Sequence, residues 1–412
     1  MNIIYLSAYD QPNGQSTRTY DFSRELVRLG HEVTIFTNSY CHFTHRDFLG
    51  PHEKWRIEII DGIKVVWLKT IKYKGNGLSR GLNMLSNVYA ILKSSKSVIT
   101  IKPDIVIGPS VPLLTAWAAW FLSKRYKTQF VFEVRDIWPQ SLVEIGAMKR
   151  NSIIYFSFRK LEKFLYKKAS KISVVLPYAA NHIADSGFPK KEVTWIPNGI
   201  NVQSNIPITF NSNHIGAPLI VTYLGGYSFA HDISTLINAI KLVEMQGPSN
   251  IRFQFYGSGQ FKNQAILEAK SLGLDSIVFF DRVPKSQVAD VLLISDILLA
   301  SLKDLDVYKN GINLNKIFDY MQSSRPIIFA ANVPNDPVKD SGCGISVAPG
   351  NPQLVADAIT TLANIDSRKR REMGGKGRKY FEHNYSIEML AKRMEAMLLG
   401  ATLCEQLIDE RT

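Results

Sequence analysis

Short apolar runs typical of buried β-strands alternate with amphipathic stretches along the whole chain, and this alternation constrains the fold most strongly. Helical spacing of apolar residues follows the first run at Thr17–Gly30 and recurs at Ile233–Met245. Strands that alternate with helices form parallel sheets through right-handed crossovers, so we predict an α/β protein with two doubly wound, Rossmann-like domains. The predicted strands are Met1–Ala8, His31–Thr37, Asp104–Gly108, Phe130–Val134, Ile172–Leu176, Leu219–Gly225, Ile251–Gly257, Ile277–Phe280, Ile297–Ala300 and Pro326–Ala330.

A stretch rich in Asn, Gly and Pro, Asn198–Pro218, is typical of a linker and sets the domain boundary. We expect an N-terminal domain of residues 1–200 and a second domain of residues 201–385. The remaining segment, residues 386–412, contains an apolar helix that can pack back on the first domain. Because ligands of such folds bind at the carboxyl ends of the strands, we expect the two domains to face each other across a cleft that binds substrate.

The charge of the chain is concentrated in its first half. Residues 1–200 contain 28 Lys and Arg against 15 Asp and Glu, whereas residues 201–412 contain 21 of each. The first half is therefore predicted to meet an anionic partner. No nucleic-acid recognition motif accompanies this charge, so we expect no nucleic-acid partner.

Two basic amphipathic stretches, Lys69–Lys96 and Lys149–Lys171, account for much of this excess. Apolar faces flanked by Lys and Arg are typical of binding to an anionic membrane surface. The alternative is a pair of core-packed helices with solvated lysines. The side chains that we assign to the membrane or acceptor side are Lys72, Lys74, Arg80, Lys163, Lys167 and Lys168.

Three cysteines lie far apart, no signal peptide is evident and no apolar run is long enough to span a bilayer. We therefore predict a cytoplasmic protein that can touch a membrane. Asp304-Leu305-Asp306 and the cluster of Cys41, His42 and His45 have no convincing set of further ligands. No metal ion and no bound cofactor are expected.

The cluster Glu133-Val134-Arg135-Asp136 follows a strand of the first domain. Charged residues at the carboxyl end of a buried strand lie where ligands bind in this class of fold. Glu133, Arg135 and Asp136 are therefore the candidate catalytic residues. The alternative is a structural ion pair between Arg135 and Asp136.

Glycines follow strands in both halves, where backbone N–H groups at the start of a helix can bind phosphate. Each of these motifs also has an ordinary structural interpretation as a turn or a surface ion pair. Lys316 and Asp319 share a helical face, which suits a cation for a diphosphate and a carboxylate for ribose hydroxyls. The candidate nucleotide-binding residues are Gly14, Gly225, Gly226, His231, Gly257, Lys316 and Asp319.

In their order and spacing, these motifs resemble the family 4 retaining glycosyltransferases of the GT-B fold, and most of all the O-antigen and capsule branch of L-fucosaminyl-type transferases. The resemblance covers nearly the whole chain. It rests on Gly14, LVRLGHEVTIFT (Leu26–Thr37), RDIWP (Arg135–Pro139), IPNGIN (Ile196–Asn201), YLGGYSFAHDISTLINAI (Tyr223–Ile240), FYGSGQ (Phe255–Gln260) and NKIFDYMQSSRPII (Asn315–Ile328).

The resemblance implies transfer of a sugar, such as N-acetyl-L-fucosamine or a related N-acetylated deoxy-sugar, from a UDP-sugar to a polyprenyl-diphosphate-linked saccharide. It implies a metal-independent reaction at the cytoplasmic face of the inner membrane. Asp319 matches the second Glu of the family's Glu-x₇-Glu pair, which holds the ribose, and Gly311 stands in the place of the first. Two rival hypotheses remain: a sugar-nucleotide 2-epimerase or other GT-B enzyme, and a non-catalytic membrane-associated scaffold of the same fold.

Overall fold

The computed structural model describes residues 1–12, 17–41, 44–73, 75, 77–144, 146–202, 217–248 and 250–401. They form two compact units. The N-terminal unit comprises Met1–Gly199 and the segment that begins at Ile387, and the C-terminal unit comprises Ile200–Ser386. The boundaries predicted after residues 200 and 385 each differ from these by one residue, and most of the predicted linker, residues 203–216, lies outside the described residues.

One mixed sheet forms the centre of the N-terminal unit, and its strands are named in chain order. They are β1 (Asn2–Leu6), β2 (Glu32–Asn38), β3 (Trp55–Ile60), β4 (Ile63–Leu68), β5 (Ile105–Pro109), β6 (Gln129–Val134), β7 (Lys171–Val174) and β8 (Val193–Trp195). Among the described residues the order is β3-β4-β2-β1-β5-β6-β7-β8. All neighbours pair in parallel except β3 and β4, so the predicted parallel sheet is present.

The hairpin of β3 and β4 was not predicted from the sequence. Its turn is Asp61-Gly62, and both residues have a positive φ, 49° and 78°, as a tight hairpin turn requires. The run Trp55–Ile60 alternates charged and apolar side chains because it lies at the edge of the sheet, half exposed. Such a short alternating run lacks the continuous apolar signal of the buried strands.

Helices cover both faces of this sheet. They are α1 (Arg18–Arg28), α2 (Leu78–Val98), α3 (Leu113–Tyr126), α4 (Gln140–Glu144), α5 (Ile153–Lys168) and α6 (Ala179–Asp185). The core on one face joins the strands to α2, α3 and α5 through residues such as Ile91, Leu122 and Leu165. The core on the other face joins them to α1 through Phe22 and Leu26.

The C-terminal unit has an all-parallel sheet with the order β11-β10-β9-β12-β13-β14. Its strands are β9 (Leu219–Leu224), β10 (Ile251–Tyr256), β11 (Ile277–Phe280), β12 (Ile297–Ser301), β13 (Ile327–Ala330) and β14 (Gly344–Val347). Its helices are α7 (Ile233–Gln246), α8 (Lys262–Ser271), α9 (Val288–Leu293), α10 (Asn315–Gln322), α11 (Pro337–Ser341), α12 (Pro352–Asn364) and α13 (Ser367–Tyr385).

The last helix, α14 (Ile387–Leu399), belongs to the N-terminal unit. Its apolar face packs on α1, and Leu390 and Met394 lie in the same core as Phe22. The Lys171 ammonium donates to the carbonyls of Met397 and Leu398 at 2.6 and 2.7 Å. A cation at this position stabilises the carbonyl end of the helix. Among the helices that the structure describes, none is both long and apolar enough to cross a bilayer.

Candidate active site

The order of the strands in the C-terminal unit reverses between β9 and β12. From β9 the chain proceeds to β10 and β11 on one side, and β12, β13 and β14 then follow on the other. Doubly wound folds bind their ligands at the carboxyl ends of the strands beside such a reversal. The loop of Gly225 and Gly226 follows β9, and α10, which contains Lys316 and Asp319, follows β12.

The Lys316 ammonium lies directly against Gly225. A Cβ atom at position 225 would stand 2.8 Å from Lys316 Nζ and 3.0 Å from the Tyr223 hydroxyl. Any side chain larger than that of glycine would therefore displace the ammonium group. The structure thus brings together Gly225 and Lys316, which are 91 positions apart in the sequence.

Lys316 is half-buried, and none of the carboxylates that the structure describes forms an ion pair with it. Its Nζ donates to the Tyr223 hydroxyl at 3.3 Å and lies 4.8 Å from the centre of the Tyr223 ring. Burial lowers the pKa of Lys316 from its ordinary value of 10.5 to about 7. Lys316 and Asp319, both described, do not form the surface ion pair that their spacing also permits. An anion bound here would supply the missing negative charge.

Gly226 and His231 lie beside Lys316. The imidazole Cε1 of His231 lies 3.7 Å from the position of a Cβ at Gly226, and its Nδ1 is 2.9 Å from the Ser228 hydroxyl. Burial, and then the charge of Lys316, lowers the pKa of His231 to about 3. The backbone N–H of Gly226 has no acceptor among the described residues. The N–H of Gly226, the Lys316 amine and the His231 imidazole therefore lie close together beside the end of β9.

Asp319 lies one turn along α10 from Lys316, with its carboxylate unpaired among the described residues. Burial raises the pKa of Asp319 to about 6, and the charge of Lys285 opposes this shift. An unpaired, half-buried carboxylate can accept hydrogen bonds from ligand hydroxyls.

Tyr320 fixes α10 at the point where the strand order reverses. Its buried hydroxyl accepts from the N–H of Leu224 at 2.8 Å. The same hydroxyl lies 3.0 Å from the carbonyl of Leu224, which ends β9, and 3.2 Å from the carbonyl of Leu299 within β12. Tyr320 therefore places Lys316 over Gly225. This role was not predicted from the sequence. An aromatic residue directly after Asp319 on an amphipathic helix is the local signal that could have indicated it.

Gly257 allows two loops to pack backbone against backbone. Its φ is +146°, and a Cβ there would stand 1.8 Å from the carbonyl oxygen of Gly225. The loops are joined by hydrogen bonds of 3.0 Å from the N–H groups of Gly225 and Tyr227 to the carbonyls of Tyr256 and Ser258. The structure thus gives Gly257 a packing role, and its contact with a nucleotide stays a prediction.

The loop before α10 contains Gly311 in an unusual backbone conformation and Asn313 with a buried side-chain amide. Gly311, in place of the family's first Glu, has φ +92°, a conformation that side chains other than that of glycine rarely adopt. Asn335 fixes the next residue, Ile312, by bonds of 2.8 and 2.9 Å to its N–H and carbonyl. Both polar side-chain atoms of Asn313 are buried, and neither has a hydrogen-bond partner in the part of the chain that the structure describes.

At the carboxyl end of β6 in the N-terminal unit, Glu133 is completely buried and all its contacts are internal. Its Oε1 accepts from the Tyr5 hydroxyl at 2.6 Å and from Arg18 Nε at 2.9 Å, and its Oε2 accepts from Arg135 Nε at 2.6 Å. The neighbouring cations lower the pKa of Glu133 against the effect of burial.

The guanidinium of Arg135 is also engaged within the protein. It donates to Asp10 Oδ2 and, at 2.7 Å, to the Thr19 hydroxyl. Arg135 therefore pairs with Asp10 and Glu133. The ion pair between Arg135 and Asp136, which was the structural alternative, is not formed. Tyr5, Asp10, Arg18 and Thr19 were missed by the sequence analysis, because nothing in the local pattern links them to β6. This network gives Glu133 and Arg135 a structural role, and their contact with substrate stays a prediction.

Asp136, the third predicted residue, is half-buried and has no ion-pair partner among the described residues. Its Oδ1 accepts from the N–H of Ile137 at 2.8 Å, and its Oδ2 accepts from the Ser141 hydroxyl at 3.0 Å. Burial raises the pKa of Asp136 against these hydrogen bonds. Its position at the carboxyl end of β6 leaves it as the candidate for contact with a substrate.

The other predicted residues differ in their surroundings. Gly14 and Lys74 lie outside the described residues. Lys72 is exposed, 3.6 Å from Asp47, and Arg80 stacks on the Tyr9 ring at 5.4 Å. The remaining basic candidates, Lys163, Lys167 and Lys168, are exposed on α5.

Two protein-family models, both of glycosyltransferases, together match 340 of the 412 residues. The model described as Glycosyltransferase Family 4 matches residues 12–204, and the model described as Glycosyl transferases group 1 matches residues 218–364. The chain is a glycosyltransferase. The gap between the two matches lies a few residues after the division between the units at Gly199. Both models describe glycosyltransferases, and neither describes an epimerase or a scaffold.

Known relatives are distant in sequence and similar in fold. The probable glycosyltransferase WbjE of Pseudomonas aeruginosa is 21% identical over 322 residues, which are 76% of this chain and 78% of the relative. Sucrose-phosphate synthase from Thermosynechococcus elongatus has a TM-score of 0.68 at 16% identity and covers 99% of both chains. Anabaena HepE in complex with UDP and glucose has a TM-score of 0.64 at 14% identity, over 97% of this chain and 100% of that one. The predicted GT-B fold of this glycosyltransferase is confirmed.

Proposed function

We propose that this glycosyltransferase moves an N-acetylated deoxy-sugar, such as N-acetyl-L-fucosamine, from a UDP-sugar to a polyprenyl-diphosphate-linked saccharide, with retention at the anomeric carbon. In this proposal the reaction contributes to O-antigen or capsular polysaccharide synthesis at the cytoplasmic face of the inner membrane. The C-terminal unit binds the donor, and the carboxyl edge of the N-terminal sheet binds the acceptor. No cofactor other than the donor nucleotide enters the proposal.

The observation that carries the donor site is that Lys316 Nζ lies over Gly225, with no carboxylate of the described residues paired to it. A diphosphate at this place would accept from Lys316 and from the N–H of Gly226. Both interactions strengthen as the glycosidic C1–O bond breaks, because the departing diphosphate then gains negative charge. The structure of Anabaena HepE with UDP and glucose supports a nucleotide diphosphate as the ligand of this fold.

The ribose end of the nucleotide is assigned to Asp319. Its carboxylate has no partner among the described residues and lies one turn from Lys316. A ribose offers two neighbouring hydroxyl donors to such a carboxylate. The resulting hydrogen bonds favour the charged carboxylate, so its pKa of about 6 should fall when nucleotide binds.

The donor sugar is assigned to Asn313, which takes over the contact that Gly311 cannot make. Its Nδ2 and Oδ1 are buried and have no partner among the residues described, and a buried polar group without a hydrogen bond is unfavourable. A side-chain amide presents one donor and one acceptor, and so does the acetamido group of an N-acetylated sugar. The pairing of these two amides favours an N-acetylated donor over a simple hexose.

On the acceptor side, Asp136 is the proposed polar contact, and Glu133 and Arg135 position the strand end that carries it. Retention is proposed to proceed on one face of the sugar. The departing phosphate then takes the proton of the acceptor hydroxyl while the new bond forms at the anomeric carbon. This route requires water to be excluded from the reacting centre.

The decisive experiment incubates the protein with a panel of UDP-, GDP- and ADP-sugars and a short-chain lipid-diphosphate saccharide, and detects transfer by mass spectrometry. We expect product with a UDP-linked N-acetylated deoxy-sugar and retained anomeric configuration by NMR. Product from another nucleotide class only, or inverted product, would contradict the proposal.

Asn313 is tested with Asn313→Ala against the donor that the wild type accepts. The expected result is a fall in kcat/KM of about 10- to 100-fold, the usual effect of losing a buried hydrogen-bonding pair to substrate. Affinity for UDP alone should not change, since UDP lacks the sugar. An equal loss of UDP affinity would contradict this assignment.

A further inference from the structure

Three neighbouring helices of the N-terminal unit leave large apolar side chains exposed. Helix α3 lies between α2 and α5 and packs against both. On α2, Leu78, Leu82, Leu85 and Tyr89 recur at a spacing of three and four residues and so share one face. Leu78 is 89% exposed, and Ile153 at the start of α5 is 84% exposed. Monomeric soluble proteins rarely display such a patch without a partner.

These apolar residues lie toward one end of the helices. Each helix leads into a strand of the parallel part of the sheet, so its first turn lies at the carboxyl edge. The exposed large apolar residues on α5 are Ile153, Ile154 and Phe156, all in its first turn. The patch therefore borders the edge at which Asp136 follows β6.

The exposed charge on the three helices has a single sign. Helices α2 and α3 contain no Asp or Glu. The one acid of α5, Glu162, has a side chain that is 1% exposed and pairs with Arg159 and His182. The exposed cations, mostly beyond the apolar residues on each helix, are Lys93, Lys96, Lys124, Arg125, Lys160, Lys163, Lys167 and Lys168.

We propose that this surface, the exposed side chains of α2, α3 and α5, docks on a bilayer that contains anionic lipids. The apolar first turns enter the headgroup region, and the lysines contact lipid phosphates. Charge complementarity selects this partner, because an anionic surface matches cations that no exposed carboxylate on the three helices offsets. A second copy of the chain would set the same cationic surface against itself and be repelled.

Docking in this orientation would place the carboxyl edge of the N-terminal sheet next to the headgroups. This part of the inference rests on the proposed function. It explains the position of the patch, because the saccharide of a lipid-linked acceptor would reach Asp136 while its lipid stays in the bilayer. The lysines alone would tolerate many orientations, whereas the apolar turns of α2 and α5 specify one.

The test is flotation of the full-length protein with phosphatidylcholine vesicles, with and without phosphatidylglycerol. Wild-type protein should bind only the anionic vesicles. The double variant I153S/I154S should lose at least about tenfold in affinity, and K163Q/K167Q about 25-fold, since each cation near an anionic surface contributes roughly fivefold. The loss in K163Q/K167Q should diminish at high salt, where the cations already contribute less.

Matched controls lie on the C-terminal unit. M245S/L267S removes two apolar side chains of similar exposure, 64% and 67%, and K369Q/K379Q removes two exposed lysines. Both controls should bind vesicles like the wild type. Equal binding by I153S/I154S and the wild type, or equal binding to neutral and anionic vesicles, would overturn the proposal. So would a wild-type dimer, measured by light scattering, that I153S/I154S converts to a monomer.

Transfer by the wild type to a water-soluble, short-chain acceptor is measured separately, without vesicles. Vesicle binding without such transfer would contradict the proposed function and support the docking surface. Transfer without vesicle binding would support the proposed function and overturn the docking surface.

Discussion

Replacing Lys316 by Met should stabilise the unliganded protein and abolish donor binding. In the unfolded chain this lysine keeps its proton up to its ordinary pKa of 10.5, whereas burial lowers its pKa in the fold to about 7. The unfolded state therefore binds more protons between these values, and folding is penalised at every pH below 10.5. Methionine has a similar length and no charge, so Lys316→Met removes the penalty.

The size of the gain follows from the difference between the two pKa values. One pKa unit corresponds to about 1.4 kcal/mol, so a folded pKa of about 7 implies a gain of about 4 kcal/mol at pH 7 and about 2 kcal/mol at pH 9. The gain is largest at low pH and disappears as the pH approaches 10.5.

Urea unfolding at pH 7, 8 and 9 measures this gain, and Lys270→Met, at an exposed position on α8, is the matched control. Calorimetry with a UDP-sugar measures binding by the same proteins. For the wild type, affinity should fall by about fivefold from pH 7 to pH 8 and by about fiftyfold by pH 9, because Lys316 must take up a proton. A Lys316→Met variant that is less stable at pH 7, gains the same stability at every pH, or binds the donor like the wild type would refute the reasoning.

Three further variants test the neighbouring residues. Asp319→Ala should weaken UDP binding by about 10- to 100-fold, since charged hydrogen bonds to the ribose are lost; calorimetry that shows unchanged affinity would remove Asp319 from the site. Tyr320→Phe should lower the free energy of unfolding by about 1–3 kcal/mol, because the N–H of Leu224 is left without an acceptor; an unchanged urea midpoint would contradict this. Glu133→Gln should lower the free energy of unfolding by about 3–5 kcal/mol, because it removes the buried carboxylate that pairs with Arg18 and Arg135. Its effect should shrink in acid, since the wild-type Glu133 loses its own contribution as the pH falls through its lowered pKa; an effect that persists in acid would not fit.

The fold could be predicted because buried parallel strands are continuous apolar runs. Ile277–Phe280 was predicted with its exact bounds, and α7 with one residue of error. The half-exposed strand Trp55–Ile60 has no such run, and its Asp-Gly turn was the only local sign of the hairpin.

The candidate site could be predicted only where a motif contains the functional residue. Gly225 and Lys316 were found from their loop and helix, and the structure shows that they touch. Arg18 and Asp10 were not found, because their partners lie more than a hundred residues away on β6 and only the fold brings them together. Asn313 was missed because the missing hydrogen bonds of a buried amide are a property of the fold and not of the sequence.

The most direct test of the donor site is a crystal structure of the protein with UDP bound. The diphosphate should lie within about 3 Å of Lys316 Nζ and of the Gly226 N–H, with the ribose hydroxyls on Asp319. UDP bound elsewhere, or bound at the end of β9 with Lys316 turned away from its phosphates, would contradict the account.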